Sequence, residues 1–187
     1  PTKSSAASDV YKRQSHYSYG RYGSSTTIEL ENMLKELEQA FHVFLTGTGF
    51  GGVALAIMSL CRPGDEILVS DNVYGPTKEI SEKLLKEFDV EAVFYNPESF
   101  EDLKNKVTKK TKMILVENPG SNTFEFQDLS KITQLAKRKK IFTLLDNTWG
   151  TPLYLKPLKI GFDMSFCSAT KYFSCLLYTS DAADDLV

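Results

Sequence analysis

Residues 43–60 read VFLTGTGFGGVALAIMSL and give the clearest local indication of the fold. The short apolar run at 43–45 predicts a strand, and the glycines at 47–52 predict a tight turn. Residues 53–60 are apolar nearly all round, which predicts a buried helix. A strand, a glycine-rich turn and a helix in this order are typical of the units that build α/β proteins.

The same alternation extends along the rest of the chain. A helix precedes the quoted stretch and is predicted to open with a capping box at 26–29. Further strands are predicted at 67–69, 92–95, 113–116, 141–145 and 164–166, with helices at 76–88, 100–107 and 129–138. This alternation predicts a mostly parallel sheet with helices on both faces. Ligands of such sheets lie at the carboxyl ends of the strands, so the residues that follow each strand are the candidates for a site.

The composition of the 187-residue chain is that of an ordinary soluble globular protein, with 42 % hydrophobic and 25 % charged residues. The formal net charge is −2, which favours neither nucleic acid nor an anionic membrane surface as a partner. No apolar run approaches the roughly 20 residues that a membrane span needs. The three cysteines, Cys61, Cys167 and Cys175, predict neither a disulfide framework nor a metal site. Reduced thiols indicate the cytoplasm.

The two ends of the chain differ from its patterned middle. Residues 1–14 show no helix or strand period, and residues 175–187 follow abruptly on a well-patterned segment. We expect both to be a non-native leader and tail, with naturally disordered termini as the alternative. The expected domain therefore occupies residues 15–174.

The glycine-rich turn matches a dinucleotide-binding pattern. Gly47, Gly49 and Gly52 satisfy G-x-G-x-x-G, and Asp71 follows the next predicted strand, where an acid would bind the ribose of NAD. An NAD-binding module is therefore one hypothesis, and a turn that needs glycine only for its backbone geometry is another. A third is a different phosphate ligand, because backbone N–H groups at a helix N-terminus bind any phosphate.

Two segments after later strands separate these hypotheses. Asp146 follows a strand directly and could pair with the pyridine nitrogen of pyridoxal 5′-phosphate (PLP), which makes the ring an electron sink. Lys171 could form a Schiff base with the PLP aldehyde, and the hydroxyls of Ser168 and Thr170 could bind its phosphate. Taken singly, Asp146 could cap a turn and Lys171 could be a solvated surface cation. In sequence with the glycine turn they favour PLP, because NAD chemistry requires neither of them.

Seven motifs in order resemble those of the Cys/Met metabolism (transsulfuration) PLP-dependent enzymes, over residues 17–174. They are YGRYG at 19–23, TGFGG at 48–52, PGD at 63–65, VYGPT at 73–77, ENPGS at 117–121, DNTW at 146–149 and SATKY at 168–172. The resemblance implies fold type I, the aspartate aminotransferase-like architecture. This chain would be its large PLP-binding domain, with the C-terminal domain missing. PLP is the implied cofactor, and no metal is implied.

The resemblance also implies roles for the matched residues. Lys171 matches the Schiff-base lysine, Asp146 the acid on the pyridine nitrogen, and Tyr74 the tyrosine that stacks on the ring and is a candidate proton carrier. The implied phosphate ligands are the backbone N–H groups of Gly49 and Phe50, the hydroxyls of Ser168 and Thr170, and Tyr19 and Arg21 from a neighbouring subunit. The last pair implies a homodimer as the minimal active unit and a homotetramer by family habit.

The reaction is implied by two of these motifs. Residues 119–125 and 146–149 resemble the β-lyases of the family, whereas γ-synthases and γ-lyases more often have Asn where Ser121 stands. The implied reaction is β-elimination on L-cystathionine, with γ-elimination on cystathionine or methionine, or γ-synthesis, as the alternative. The family's C-terminal domain supplies the arginine that binds the substrate carboxylate, and the family pattern stops near Ser174. We therefore expect this chain by itself to be inactive and to retain PLP weakly.

Overall fold

The computed structural model describes residues 23–173. The chain forms two compact units, 1–45 and 46–187, and each is described by itself. The first unit contributes helix α1 (Ser25–Glu38). Its capping box is formed by Ser24 and Thr27 rather than by the predicted residues 26–29. The Ser24 hydroxyl accepts from the Thr27 N–H at 3.2 Å, and the Thr27 hydroxyl accepts from the Ser24 N–H at 2.7 Å. Because Ser24 caps the helix, the helix begins at Ser25, before the predicted Thr26.

The second unit is a five-stranded sheet with helices around it. Its elements in chain order are α2 (Gly49–Leu60), β1 (Glu66–Ser70), α3 (Gly75–Glu79), a π-helical turn (Ile80–Leu84), α4 (Leu85–Glu87), β2 (Glu91–Tyr95), α5 (Phe100–Lys106), β3 (Thr111–Glu117), α6 (Leu129–Lys139), β4 (Phe142–Asp146), α7 (Thr151–Tyr154), α8 (Pro157–Ile160) and β5 (Met164–Phe166). The sheet order is β2-β1-β3-β4-β5, and every strand pair is parallel. The predicted parallel α/β architecture is confirmed.

Buried apolar side chains cover both faces of the sheet. On one face Leu115 of β3 belongs to the same buried cluster as Ile57 of α2. On the other face Ile114 of β3 clusters with Ile132 of α6. Neighbouring strand residues point to opposite faces, and covering both faces explains why β1 and β3 are almost continuously apolar. The prediction of helices on both faces is therefore confirmed.

The stretch at 43–60 folds differently from its prediction in two respects. Residues 43–45 form no strand, because none of the described strands pairs with them. An apolar run of three residues is too short to specify a strand without such a partner. Helix α2 begins at Gly49, four residues before its predicted start. It is also not buried all round: Val53 and Ile57 are buried, but Leu55 is 57 % exposed.

Three smaller differences concern the bounds of one helix, the start of one strand and two short helices. The predicted helix at 76–88 contains the π-helical turn, and Pro76 is its second residue rather than its first. The strand predicted at 141–145 begins at Phe142, since the Ile141 N–H donates to the Ala136 carbonyl at the end of α6. The short helices α7 and α8 were not predicted, because four-residue helices carry no recognisable period.

None of the helices in residues 23–173 has the length and apolar character needed to cross a membrane.

Candidate active site

The candidate site lies at the carboxyl ends of four neighbouring strands. Tyr74 follows β1, Glu117 ends β3, Asp146 ends β4, and Ser168 to Lys171 follow β5. Since β1, β3, β4 and β5 are adjacent and parallel, their carboxyl ends share one edge of the sheet. The fold thus brings together, on this edge, segments that are far apart in sequence.

The N-terminus of α2 offers two backbone N–H groups. Thr48 caps the helix: its hydroxyl accepts from the Gly51 N–H at 2.9 Å, and its carbonyl accepts from the Gly52 N–H at 3.0 Å. The N–H groups of Gly49 and Phe50 have no acceptor among the described residues. Free N–H groups at a helix N-terminus favour an anion, so both predicted phosphate-binding amides are available for one.

The loop after β5 brings hydroxyl groups next to this helix end. A Cβ added to Gly49 would lie 3.5 Å from Ser168 Oγ, so the backbone of Gly49 and the Ser168 hydroxyl are neighbours. Ser168 Oγ and Thr170 Oγ1 are 3.2 Å apart, and the Ser168 N–H donates to Thr148 Oγ1 at 2.9 Å. The Lys171 N–H donates to the Ser168 carbonyl at 3.2 Å, which closes a turn. Two N–H groups and two hydroxyls side by side form a donor set that fits a phosphate.

Two carboxyl groups lie on the same edge of the sheet. Asp146 and Glu117 are register partners on β4 and β3. Asp146 Oδ1 accepts from the Thr148 N–H at 2.9 Å, and Glu117 Oε2 accepts from the Tyr74 N–H at 2.6 Å. Both carboxyls line a small cleft with mostly apolar walls, formed by Val53, Thr77, Leu115, Leu144 and Phe166.

The cleft changes the acidity of both carboxyls. Burial raises the pKa of Asp146, against the opposing effect of its hydrogen bonds from Thr148. The pKa of Glu117 rises to about 8, mainly through burial and secondly through the negative charge of Asp146. Hydrogen bonds from the Tyr74 N–H and the Ser121 side chain act in the opposite direction. A carboxyl in such an apolar cleft is suited to hold a cationic ring nitrogen, so Asp146 fits the role predicted for it.

Two residues that contribute to the site had no predicted role, and two predicted site residues lie outside the described part of the chain. Glu117 was quoted within a motif but given no role, although it is an acid directly after an apolar strand, the same signal that identified Asp146. Thr148, which contacts both Asp146 and Ser168, carried no such signal. Tyr19 and Arg21, predicted to bind the phosphate of a neighbouring subunit, lie outside the described residues.

Comparison with known proteins identifies the family to which the chain belongs. Residues 2–175 match the family described as Cys/Met metabolism PLP-dependent enzymes. The chain belongs to this family. A cystathionine β-lyase of Coxiella burnetii is 36 % identical over 83 % of the chain and 40 % of its own length. An L-alanine/L-glutamate racemase of Wolbachia pipientis wMel is 35 % identical over 83 % of the chain and 38 % of its own length. The crystal structure of a Lactobacillus plantarum cystathionine γ-lyase complexed with L-serine has a TM-score of 0.76 and 26 % identity, and the match covers 79 % of the chain and 38 % of that protein.

Membership in the Cys/Met metabolism family resolves the choice of cofactor. The family is PLP-dependent, so the predicted PLP is confirmed at family level and the NAD hypothesis loses its support. The structural likeness confirms fold type I as the fold class. The chain spans less than half the length of the curated relatives that it matches, between 38 % and 48 % for the first three.

Proposed function

We propose that the enzyme containing this chain is a PLP-dependent carbon–sulfur β-lyase that cleaves L-cystathionine, with water, to homocysteine, pyruvate and ammonia. Lyases of cysteine and methionine metabolism are common in the family. The observation that favours β-elimination is the segment at 119–125, which resembles the β-lyases and has Ser121 where γ-enzymes more often have Asn. Relatives named cystathionine β-lyase support the same choice.

The site residues divide the work between holding the cofactor and moving a proton. The Gly49 and Phe50 N–H groups and the hydroxyls of Ser168 and Thr170 would bind the cofactor phosphate. The Asp146 carboxylate would hold a proton on the pyridine nitrogen, and Tyr74 would stack on the ring; it is also a candidate proton carrier. Bound PLP supplies an electron sink for the Cα–H bond that is broken.

Lys171 is the residue to which we assign both the covalent bond to the cofactor and the proton transfer. Its amine would form the covalent bond to the aldehyde of PLP, and the free amine would act as a general base for the substrate α-proton. Lys171 is half-buried on the loop after β5, and it directly follows Thr170, one of the proposed phosphate donors. Its position on this loop places the base and the phosphate ligands on one short segment.

The oligomeric state that we propose follows from the roles assigned to Tyr19 and Arg21. Tyr19 and Arg21 would reach the cofactor phosphate of a neighbouring subunit, which makes a homodimer the minimal active unit and a homotetramer the expected one. Arginine is suited to this role because its planar fork binds phosphate through two hydrogen bonds. The substrate is a small amino acid, the proposed location is the cytoplasm, and no nucleic acid or membrane partner is proposed.

The experiment that tests the reaction is a product assay on the full-length enzyme that contains this chain. With L-cystathionine and PLP we expect pyruvate and homocysteine in equal amounts. Formation of α-ketobutyrate and cysteine would instead identify a γ-lyase, as in the Lactobacillus plantarum relative. Interconversion of L- and D-alanine without pyruvate would identify a racemase, as in the Wolbachia pipientis relative. All three reactions begin with removal of an α-proton, so only the products separate them.

A further inference from the structure

Glu117 and Asp146 form a pair of carboxyls, of which only Asp146 has a role in the proposed function. The register of β3 and β4 pairs these two residues, so their side chains leave the same face of the sheet. Both line the same cleft between the sheet and the N-terminal part of α2. Neither carboxyl has a lysine, arginine or histidine partner within 4.0 Å among residues 23–173. Among the described residues, the pair therefore has no cationic partner in its mostly apolar cleft.

Two neighbouring buried carboxyls cannot both be ionised at low cost. Like charges on register partners of adjacent strands repel in a low-dielectric site, and one member of such a pair normally keeps its proton. Glu117 is buried, with 5 % of its surface exposed. Asp146 accepts an N–H hydrogen bond from Thr148 and, in the proposed function, faces the cationic pyridine nitrogen. The negative charge of the pair is thus more stable on Asp146.

Glu117 has a second connection to the site, through the main chain of Tyr74. Its Oε2 accepts from the Tyr74 N–H at 2.6 Å across 43 residues of sequence. This N–H belongs to the residue directly before α3, a helix with no side-chain cap. The carboxyl group of Glu117 therefore fixes the backbone from which the Tyr74 ring projects.

We propose that Glu117 is a positioning residue of this site, which as a neutral carboxylic acid holds the main chain of Tyr74 and leaves Asp146 as the single negative charge for the cofactor ring. This inference rests on the proposed role of Asp146 in binding PLP. The groups facing Glu117 are consistent with it. Asp146 is the charge that acts on it, Tyr74 and Ser121 supply hydrogen bonds, and the Val53 side of α2 is apolar.

The first test measures the protonation of Glu117 directly, in the 187-residue chain without PLP. A ¹³C NMR titration of glutamate carboxyl carbons should show Glu117 titrating near pH 8, against a usual value of 4.5. In Asp146→Asn the midpoint should fall by about one pH unit or more, because the neighbouring negative charge is removed. The matched control is Asp128→Asn at the exposed cap of α6, which keeps a good cap residue and should leave the Glu117 midpoint unchanged. A Glu117 midpoint in the usual range, or one that ignores Asp146→Asn, would overturn the proposal.

The second test compares the two carboxyls in PLP binding, followed by the visible absorbance of the PLP-loaded full-length enzyme at pH 7. Glu117→Gln keeps a neutral acceptor for the Tyr74 N–H, so PLP affinity should stay within about threefold, whereas Asp146→Asn should lower it about tenfold or more. If Glu117→Gln weakens PLP as much as Asp146→Asn does, the charge resides on Glu117 and the proposal is wrong. A full-length wild-type enzyme without a PLP band would instead reject the cofactor assignment itself, while the NMR titration would still decide whether the carboxyls are coupled.

Discussion

Gly52 is the glycine of the phosphate turn whose replacement should have the clearest effect. A Cβ added there would lie 2.8 Å from Phe166 Cε2 and 2.9 Å from Thr46 Oγ1. Favourable carbon contacts lie at about 3.5–4.0 Å, so either α2 or the Phe166 ring must move by most of an ångström. Overpacking of this kind costs about 1–3 kcal/mol, and alanine recovers about 0.5–1 kcal/mol of helix propensity. We expect Gly52→Ala to lower the free energy of unfolding by about 1–2 kcal/mol in a urea titration.

The larger effect of Gly52→Ala should be on PLP binding. Phe166 is two residues before Ser168, so a displaced ring separates the Ser168 hydroxyl from the backbone of Gly49. Loss of one hydrogen bond to a charged phosphate costs about 1.5–3 kcal/mol, which corresponds to a fall of about 10- to 100-fold in PLP affinity. Titration of PLP absorbance in the variant and the wild-type chain measures this ratio.

Gly47→Ala is the matched control for this prediction. No atom of the described residues lies within 4 Å of a Cβ added at Gly47, and this glycine does not have a left-handed backbone. The substitution should leave PLP affinity unchanged and leave stability unchanged or raised by up to about 1 kcal/mol. A dinucleotide site would require Gly47 for its tight turn. The reasoning is refuted if Gly52→Ala binds PLP like the wild type, or if Gly47→Ala weakens it equally.

Three further predictions address the helix cap, the lysine and the buried acid. Thr48→Ala removes the cap of α2 and should cost about 1 kcal/mol in a urea titration, with Thr48→Ser retaining most of that stability. Lys171→Ala should remove both the visible PLP band and labelling by PLP with borohydride, while circular dichroism stays unchanged; labelling that persists at another lysine would contradict the assignment. The folded pKa of Glu117, about 8, exceeds its unfolded value, so its contribution to stability is complete below pH 4.5 and is lost as pH rises through 8. Thermal unfolding should show this loss, at most about 1.4 kcal/mol per pH unit, and Glu117→Gln should flatten it; an equally steep pH dependence in Glu117→Gln would reject this origin.

The fold could be predicted from sequence wherever a segment was long and its neighbours supported it. Strands β1 and β3 were found because residues buried on both faces leave an unbroken apolar run. The run at 43–45 looked the same over three residues, yet it forms no strand. Strand formation depends on a partner elsewhere in the chain, which a local pattern does not report. The cap at Ser24 was misplaced for a related reason, since several adjacent hydroxyls could serve and only the geometry selects one.

In the candidate site, single residues could be predicted from the sequence, whereas contacts between residues could not. Asp146 and Lys171 were identified individually, because a strand-end acid and a lysine after two hydroxyl residues each suggest a specific chemistry. The contact between Gly49 and Ser168 required the folded structure, since 118 intervening residues place no limit on their distance.

The coupling of Glu117 to Asp146 depends on register. A shift of one residue between β3 and β4 would move the Glu117 side chain to the opposite face of the sheet, away from Asp146. The pKa of Glu117 is raised mainly by burial and by repulsion from Asp146. After such a shift, Glu117 would no longer experience both effects in the same cleft. The acidity of this site is therefore a property of the sheet as much as of the two carboxyls. Substitutions that alter strand pairing should change the Glu117 titration even when both acids remain.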